Sequence, residues 1–384
     1  MNTWSPAPAT AGRNAAHGAI LDLSKAELEA VVAELGEPPF RARQLWSALY
    51  RSLSPSFDDM TTLAGSLREK LREKFAIDAL QTALHDISKD RSTDKLLFRL
   101  RDGELIETVL MRYAADGHRK HRKTVCVSTQ AGCALGCTFC ATGQQGFRRQ
   151  LTAGEIVAQV MHVERLARAE DEAEIAAGTR SRGERQGVTN VVFMGMGEPL
   201  ANYDNTMAAI RVLNDEQGLH IGARHITVST VGLSPQIRQL AGEDLQINLA
   251  VSLHAPDNHT RSQTMPINAR YPIEDVLEAC REYIRHTKRR IFFEYVLLSG
   301  QNDSVAQAAA LGRRLQGMLC HVNLIPVNPT GEGPYPRPRR ETAAEFQAAL
   351  TRHGVPSTVR MEKGIDINAG CGQLRARALG AVSS

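Results

Sequence analysis

The stretch TVCVSTQAGCALGCTFCATGQQGF, residues 124–147, places a short apolar run directly ahead of Cys133, Cys137 and Cys140. Val125–Ser128 reads as a β-strand, and the CxxxCxxC spacing on the glycine-containing loop after it lets three sulfurs converge. Three thiolates at one centre need a metal. By spacing alone two centres are open: zinc closed by Cys126 as a fourth thiolate, or a 4Fe-4S cluster with three protein ligands and one exposed iron. Outward from this loop, candidate strands recur at 188–194, 225–229, 246–253, 291–297 and 322–327. Helical patterns alternate with them at 152–170, 204–214, 234–241, 272–287, 304–317 and 342–353. Thr152 with Glu155 forms a capping box, and Ser234-Pro235 supplies an N-cap with proline at the first helical position. Six βα units predict a parallel sheet with helices outside, wrapped by right-handed crossovers into a partial (β/α)6 barrel. A full eight-fold barrel takes about 250 residues and two more units. Ligands of such α/β folds sit at the C-terminal ends of the strands. The segment 166–187, rich in Ala, Glu, Arg and Gly, reads as a polar insertion and a mobile loop.

The remainder of the 384 residues frames this barrel. Hydrophobic residues make up 42% and charged residues 23%, which excludes collagen-like, wholly disordered and coiled-coil chains. Lys and Arg total 46 against 42 Asp and Glu, a net +4, so a nucleic-acid site must be a local patch rather than a global charge. Seven cysteines, three of them within eight residues, do not form the even framework of a small secreted disulfide protein. Residues 1–20 read as a loose tail without a signal sequence, and no apolar run is long enough for a membrane span, so a reducing cytoplasm is expected. Residues 21–80 read as a small helical accessory domain, opened by a Ser24/Glu27 capping box. There Arg41, Arg43 and Arg51 lie among Phe40, Trp46 and Tyr50, and a helix over 62–75 carries Arg68, Lys70, Arg72 and Lys74. That pattern suits an RNA-binding face or, equally, a solvated face over an aromatic core. Residues 81–123 predict an antiparallel β extension, 124–375 the barrel with a C-terminal cysteine loop, and 376–384 a tail.

A cysteine loop of this spacing on the first strand of a partial barrel, with Phe139 before its last cysteine, resembles the radical S-adenosylmethionine (radical SAM) superfamily. The second strand ends in GMGEP, 195–199, similar to that superfamily's site for the methionine ammonium group. The likeness narrows to the radical SAM RNA adenine methyltransferases, in particular the dual-specificity group that acts on C2 of adenine in 23S rRNA and tRNA. It is carried by CVSTQAGCALGCTFCATGQQGF (126–147), VVFMGMGEPL (191–200), ITVSTVGL (226–233), AVSLHAP (250–256), FEYVLL (293–298), NLIPVNP (323–329) and AGCGQL (369–374). FRARQLW, 40–46, resembles the same family's N-terminal RNA-binding region.

The resemblance implies a 4Fe-4S cluster on Cys133, Cys137 and Cys140, with S-adenosylmethionine held by Gly197, Glu198, Ser229, Ser252, Leu253, His254 and Asn328. It implies Cys371 as methyl-accepting cysteine, Cys126 as its partner thiol and Glu107 as proton acceptor. Two S-adenosylmethionine molecules are then used per turnover: one methylates Cys371, and the other yields a 5'-deoxyadenosyl radical that activates the methyl group for attack on C2. Cys126 releases the product as a disulfide forms. The implied partners are 23S rRNA, tRNA, an electron donor such as flavodoxin and a thiol reductant, with the protein itself a monomer and no membrane involved. Cys280 and Cys320 fall in no motif and read as packing residues. Basic runs at 118–123, 148–149 and 337–340 are candidate phosphate contacts. Two other readings stay open: a C8-methylating 23S rRNA enzyme of the antibiotic-resistance type, and a zinc-stabilised, non-catalytic RNA-binding protein.

Overall fold

Strands that are apolar on both faces require cover on both faces, and the barrel strands have that character. Val125, Val191, Val228, Leu249, Phe293 and Leu324 are all fully buried. The computed structural model describes residues 18–77, 79–115, 121–182, 187–328, 335–360, 363–370 and 372–374. Six strands, Arg122–Cys126, Asn190–Phe193, Ile226–Thr230, Asn248–Ser252, Ile291–Leu297 and Cys320–Pro326, pair in parallel in chain order. Helices Ala153–Ala176, Tyr203–Asn214, Ser234–Ala241, Ile273–Thr287, Val305–Leu315 and Arg340–Arg352 follow them in turn. A seventh parallel strand, Ser357–Val359, adds at one edge. It is too short and too polar to be legible from its sequence. On the other edge Leu80–Ile87, Thr93–Leu100 and Leu105–Tyr113 continue the sheet antiparallel, ending a ten-stranded order whose two edges do not meet.

The expected loop at 166–187 is instead helix as far as Ala176. Several of its charges are paired. Asp171 is fully buried and accepts from Lys123 Nζ at 2.7 Å and from the Arg180 guanidinium at 2.5 Å. Glu170 pairs with Lys123 at 3.0 Å and with Arg112 of the antiparallel extension, while Arg168 reaches back to Glu164 at 2.7 Å. A polar composition that resembles a loop is helical here where its inward-facing charges find partners.

The accessory segment folds as helices Lys25–Glu34, Phe40–Tyr50 and Gly65–Lys74, with the Ser24/Glu27 capping box present. A two-residue parallel ladder, Gly18–Ala19 with Phe75–Ala76, brings its ends together. Trp46 and Tyr50 are buried with ring centroids 4.5 Å apart, whereas Phe40 is 42% exposed. Two of the three aromatics therefore form core, and Phe40 alone is open to a partner. The segment docks on the long helix, where the Gly154 N–H donates to Asp22 Oδ1 at 2.8 Å. A Cβ at Gly154 would lie 2.6 Å from that oxygen and 2.7 Å from the Leu21 carbonyl carbon. Gly154→Ala is expected to cost about 1–3 kcal/mol by overpacking, despite alanine's better helix propensity. Thermal melts and faster tryptic release of the accessory segment check this; an unchanged melt contradicts it.

Candidate active site

The cysteine loop is closed at its base by backbone pairing. Gln130–Gly132 runs antiparallel to Phe147–Gln150, and the Cys133 N–H donates to the Gly146 carbonyl at 2.9 Å. Gly132 has φ +75°, and a Cβ there would meet the Gly146 oxygen at 2.0 Å, so no other residue fits. The loop's far end is tied to the chain terminus, with the Ala141 N–H donating to Gly372 O at 2.8 Å and Thr142 Oγ1 to Leu374 O at 2.7 Å.

Cys133, Cys137 and Cys140 all face one cavity of about 150 Å³ at the C-terminal ends of the barrel strands. Gly197, Glu198, Ser229, Ser252, His254 and Asn328 line the same cavity. Leu253, the remaining residue implied for the cofactor, instead turns its side chain into the core, its N–H donating to Glu294 O at 3.0 Å. Burial pushes the Cys133 thiol up to about 12 and raises Cys137 as well, with neighbouring thiols adding to both. Thiolates in such surroundings need bound cationic charge, and three of them on one wall fit an iron–sulfur cluster. Among the described residues no three His, Cys, Asp or Glu side chains group tightly enough for a single metal ion. Cys126 lines a different cavity, so among the described residues no fourth thiolate completes a zinc site.

Glu198 is positioned by the turn that ends the second barrel strand. Gly197 (φ +101°) lets the backbone pass over Gln130, and the Glu198 N–H donates to Gln130 Oε1 at 2.8 Å. Its carboxylate accepts from the Leu200 N–H at 3.0 Å and the Val231 N–H at 2.9 Å. Burial raises this carboxyl to about 7, against hydrogen bonds from Val231, Leu200 and Thr230 that favour the charged form. The charge able to hold an ammonium group is lost as pH falls through about 7. Affinity for S-adenosylmethionine is expected to drop by up to about tenfold per pH unit below that point, with Glu198→Gln weak and pH-independent. Equilibrium dialysis checks it, and a flat profile between roughly pH 8 and pH 6 would discard the role. For folding without cofactor the sign reverses: the raised value stabilises below the unfolded pKa of about 4.3, and that stability is lost as pH rises through about 7.

His254 sits in the left-handed region (φ 55°), accepts from the Val296 N–H on Nδ1 at 3.0 Å and packs edge-on against Phe139 with centroids 4.9 Å apart. Burial, with the charge of Arg261 nearby, brings it down to about 3, so it stands neutral beside the thiols. Among the described residues Asn328 Oδ1 is buried without a hydrogen-bond partner, as is Glu294 Oε2, which lies 3.6 Å from the Arg360 guanidinium, and both residues line the cavity. Glu294 was not singled out from the sequence. A carboxylate inside the otherwise apolar strand FEYVLL was the available signal.

A second cavity of about 60 Å³ adjoins the first, and the two share Met194, Ile325, Asn328 and Arg360 as common wall. Cys126 lines the smaller one opposite Val109, its ladder partner. Glu107 lies two residues from Val109 on the same face of the sheet, buried, with Lys95 Nζ 3.7 Å away, and lines neither cavity. Gly370 faces the smaller cavity and Gly372 the larger. Cys371, between them in the chain, lies outside the described residues.

Residues 127–311 match the radical SAM superfamily, and residues 19–77 match the ribosomal RNA large subunit methyltransferase N-terminal domain. The chain is 48% identical over 357 residues to dual-specificity RNA methyltransferase RlmN 1 of Myxococcus xanthus (strain DK1622), covering 93% of this chain and 94% of that protein. It belongs to the RlmN family. The probable dual-specificity RNA methyltransferase RlmN of Bacillus thuringiensis (strain Al Hakam) is likewise 48% identical over 358 residues, 93% of each chain. A crystal structure of a radical SAM methyltransferase from Sphaerobacter thermophilus, 49% identical, superposes with a TM-score of 0.85 over 94% of this chain and 100% of that one. As an RlmN-family member the protein is a radical SAM RNA methyltransferase that uses a 4Fe-4S cluster and S-adenosylmethionine. No helix among the described residues is long and apolar enough to cross a membrane.

Of the basic runs expected to meet RNA in this RlmN-family chain, Lys123 and Arg149 are committed to ion pairs with Asp171 and Glu155. Arg122 stacks its guanidinium 4.0 Å from the Tyr113 ring centroid at the edge of the smaller cavity. Arg148, Arg337, Arg339 and Arg340 are exposed, and residues 118–120 lie outside the described residues. Cys280 and Cys320 are buried in the core.

Proposed function

We propose that the protein methylates C2 of a target adenine in 23S rRNA and in tRNA, carrying the methyl group on Cys371. The observation that carries this reading is the pair of adjoining cavities with Gly370 on one and Gly372 on the other. A carrier cysteine between these glycines can collect a methyl group on the cofactor side and present it on the side where Cys126 stands. C2 of adenine is an electron-poor ring carbon, so polar transfer of a methyl cation fails there while a carbon radical adds. The cluster and S-adenosylmethionine, when bound, supply the electron and the hydrogen-abstracting radical. The chain's own residues do the rest. Glu198 holds the cofactor's ammonium group, the backbone around Ser229, Ser252 and His254 and the Asn328 side chain hold its remainder, and Cys133, Cys137 and Cys140 hold the cluster.

The smaller cavity receives the splayed-out adenine, with the Arg122 guanidinium, backed by the Tyr113 ring, at its edge offering a planar cation. Glu107 accepts the C2 proton, and the unpaired electron left on the base would return to the cluster, so that the ring is aromatic again before release. Cys126 then attacks the Cys371 sulfur: the S–C electron pair moves to the methylene carbon, which takes a proton to become the methyl group, a disulfide forms, and an external thiol reduces it. An electron donor such as flavodoxin, the thiol reductant, a monomeric state and a cytoplasmic location complete the proposal.

The test is mass spectrometry of RNA treated with methyl-trideuterated S-adenosylmethionine. The expected product is 2-methyladenine with one deuterium replaced by hydrogen. A methyl at C8 would select the resistance-type activity, and full retention of deuterium would indicate polar transfer.

A further inference from the structure

Arg261 is fully buried on the short helix Asn258–Thr264, among the largest of the fully buried side chains described. Its guanidinium donates to Asn268 Oδ1 at 2.9 Å, to Tyr271 O at 3.0 Å and to Val231 O. All three acceptors are neutral. Among the described residues the groups near enough to offset its charge if ionised are the Cys137 and Cys280 sulfurs, which burial holds as neutral thiols, and no carboxylate is among them. A buried cation without a counter-charge is expensive, and proteins keep such groups where something negative completes them.

The helix that carries Arg261 packs on the cysteine loop. Thr264 O accepts from the Thr138 N–H at 3.0 Å, Pro266 lies 3.9 Å from where a Cβ on Gly136 would stand, and Met265 lines the cofactor cavity. The Val231 carbonyl that takes Arg261 belongs to the same residue whose N–H grips Glu198 Oε2 at 2.9 Å. The arginine therefore stands behind two walls of the site without lining the cavity itself.

We infer that Arg261 is the fixed counter-charge of the cluster held by Cys133, Cys137 and Cys140, and a positioning residue for the Val231 turn that orients Glu198. The inference rests on the cluster assignment. A cubane on three thiolates is net negative and gains a further negative charge when it takes an electron. A permanent positive charge behind Cys137 favours that reduced state and raises the reduction potential, because net charge and burial are among the terms that set it. His254 feels the same charge and is held neutral, so it does not compete as the cation.

Two substitutions separate charge from tethering: Arg261→Lys keeps the charge and loses the planar fork, whereas Arg261→Gln loses the charge and keeps an amide donor for one carbonyl. Anaerobically loaded protein is titrated with dithionite and followed by electron paramagnetic resonance, with iron and sulfide measured on the same samples. The expected result is a midpoint near that of the unsubstituted protein for Arg261→Lys and a clearly more negative one for Arg261→Gln. Failure of Arg261→Gln to hold iron and sulfide while Arg261→Lys loads fully also supports the inference. An unchanged midpoint in Arg261→Gln, or equal shifts or equal loss of cluster in both variants, overturns it and leaves Arg261 a tether for three loops. Absence of iron and sulfide from the unsubstituted protein would instead reject the cluster assignment beneath it.

Discussion

Protein bearing Cys126→Ala is expected to accumulate covalently joined to its RNA. On the proposed assignment, once Cys371 has delivered its carbon to the base the chain is tied to the product through sulfur, and a second thiol is needed to break that bond. Cys126 is the cysteine that lines the cavity facing Gly370, and it is buried at the end of its strand. Loss of one buried sulfur there costs about 1 kcal/mol, so the fold survives and the defect is chemical. Multiple turnover should fall by on the order of a thousand-fold, the scale for removing one member of a nucleophilic pair. The readout is a denaturing gel on which the protein band shifts with labelled RNA and does not return on adding dithiothreitol. A variant that turns over normally without an adduct would remove Cys126 from the release step.

Gly197→Ala should abolish most cofactor binding while leaving the cluster in place. A Cβ there would stand 2.5 Å from Gln130 Cβ and 2.8 Å from Gln130 N, at a φ of +101° that side chains rarely adopt. Neither neighbour can retreat easily, since Gln130 also holds the Glu198 N–H and pairs in the ladder that closes the cysteine loop. About 3 kcal/mol of strain and overpacking at the carboxylate turn corresponds to roughly a hundred-fold weaker S-adenosylmethionine binding. Gly178→Ala is the matched control: its φ is +74°, but nothing lies within 4 Å of the added carbon. It should show the dihedral cost in a thermal melt and no change in cofactor affinity. Equal affinities for Gly197→Ala and the unsubstituted protein, by equilibrium dialysis at matched iron content, would contradict the account.

The barrel was legible because its strands and helices repeat their own periods. All six strands and six helices expected from 124 onward are present, with ends displaced by a few residues. Where reading failed, it failed for reasons of pairing. Asp171 and Glu170 resemble loop residues in the sequence, yet they hold Lys123, Arg112 and Arg180 in three dimensions. Ser357–Val359 is a strand only because Cys320–Pro326 offers it an edge. Within the site, the cysteine spacing and GMGEP were visible because their geometry is local. Glu294, Arg360 and the second cavity were not, since they arise from strands distant in the chain meeting across the barrel mouth. Leu253 lies between two residues that line the cavity and still points away from it, because side chains alternate along an extended backbone.

The hydrogen bonds from Ala141 and Thr142 to the backbone of Gly372 and Leu374 bind the two ends of the catalytic region into one mechanical unit. The residues after Cys140 cannot unravel without releasing the chain on the far side of Cys371. On the proposed assignment, any change that loosens the loop after Cys140 is therefore expected to loosen the segment at 372–374 with it.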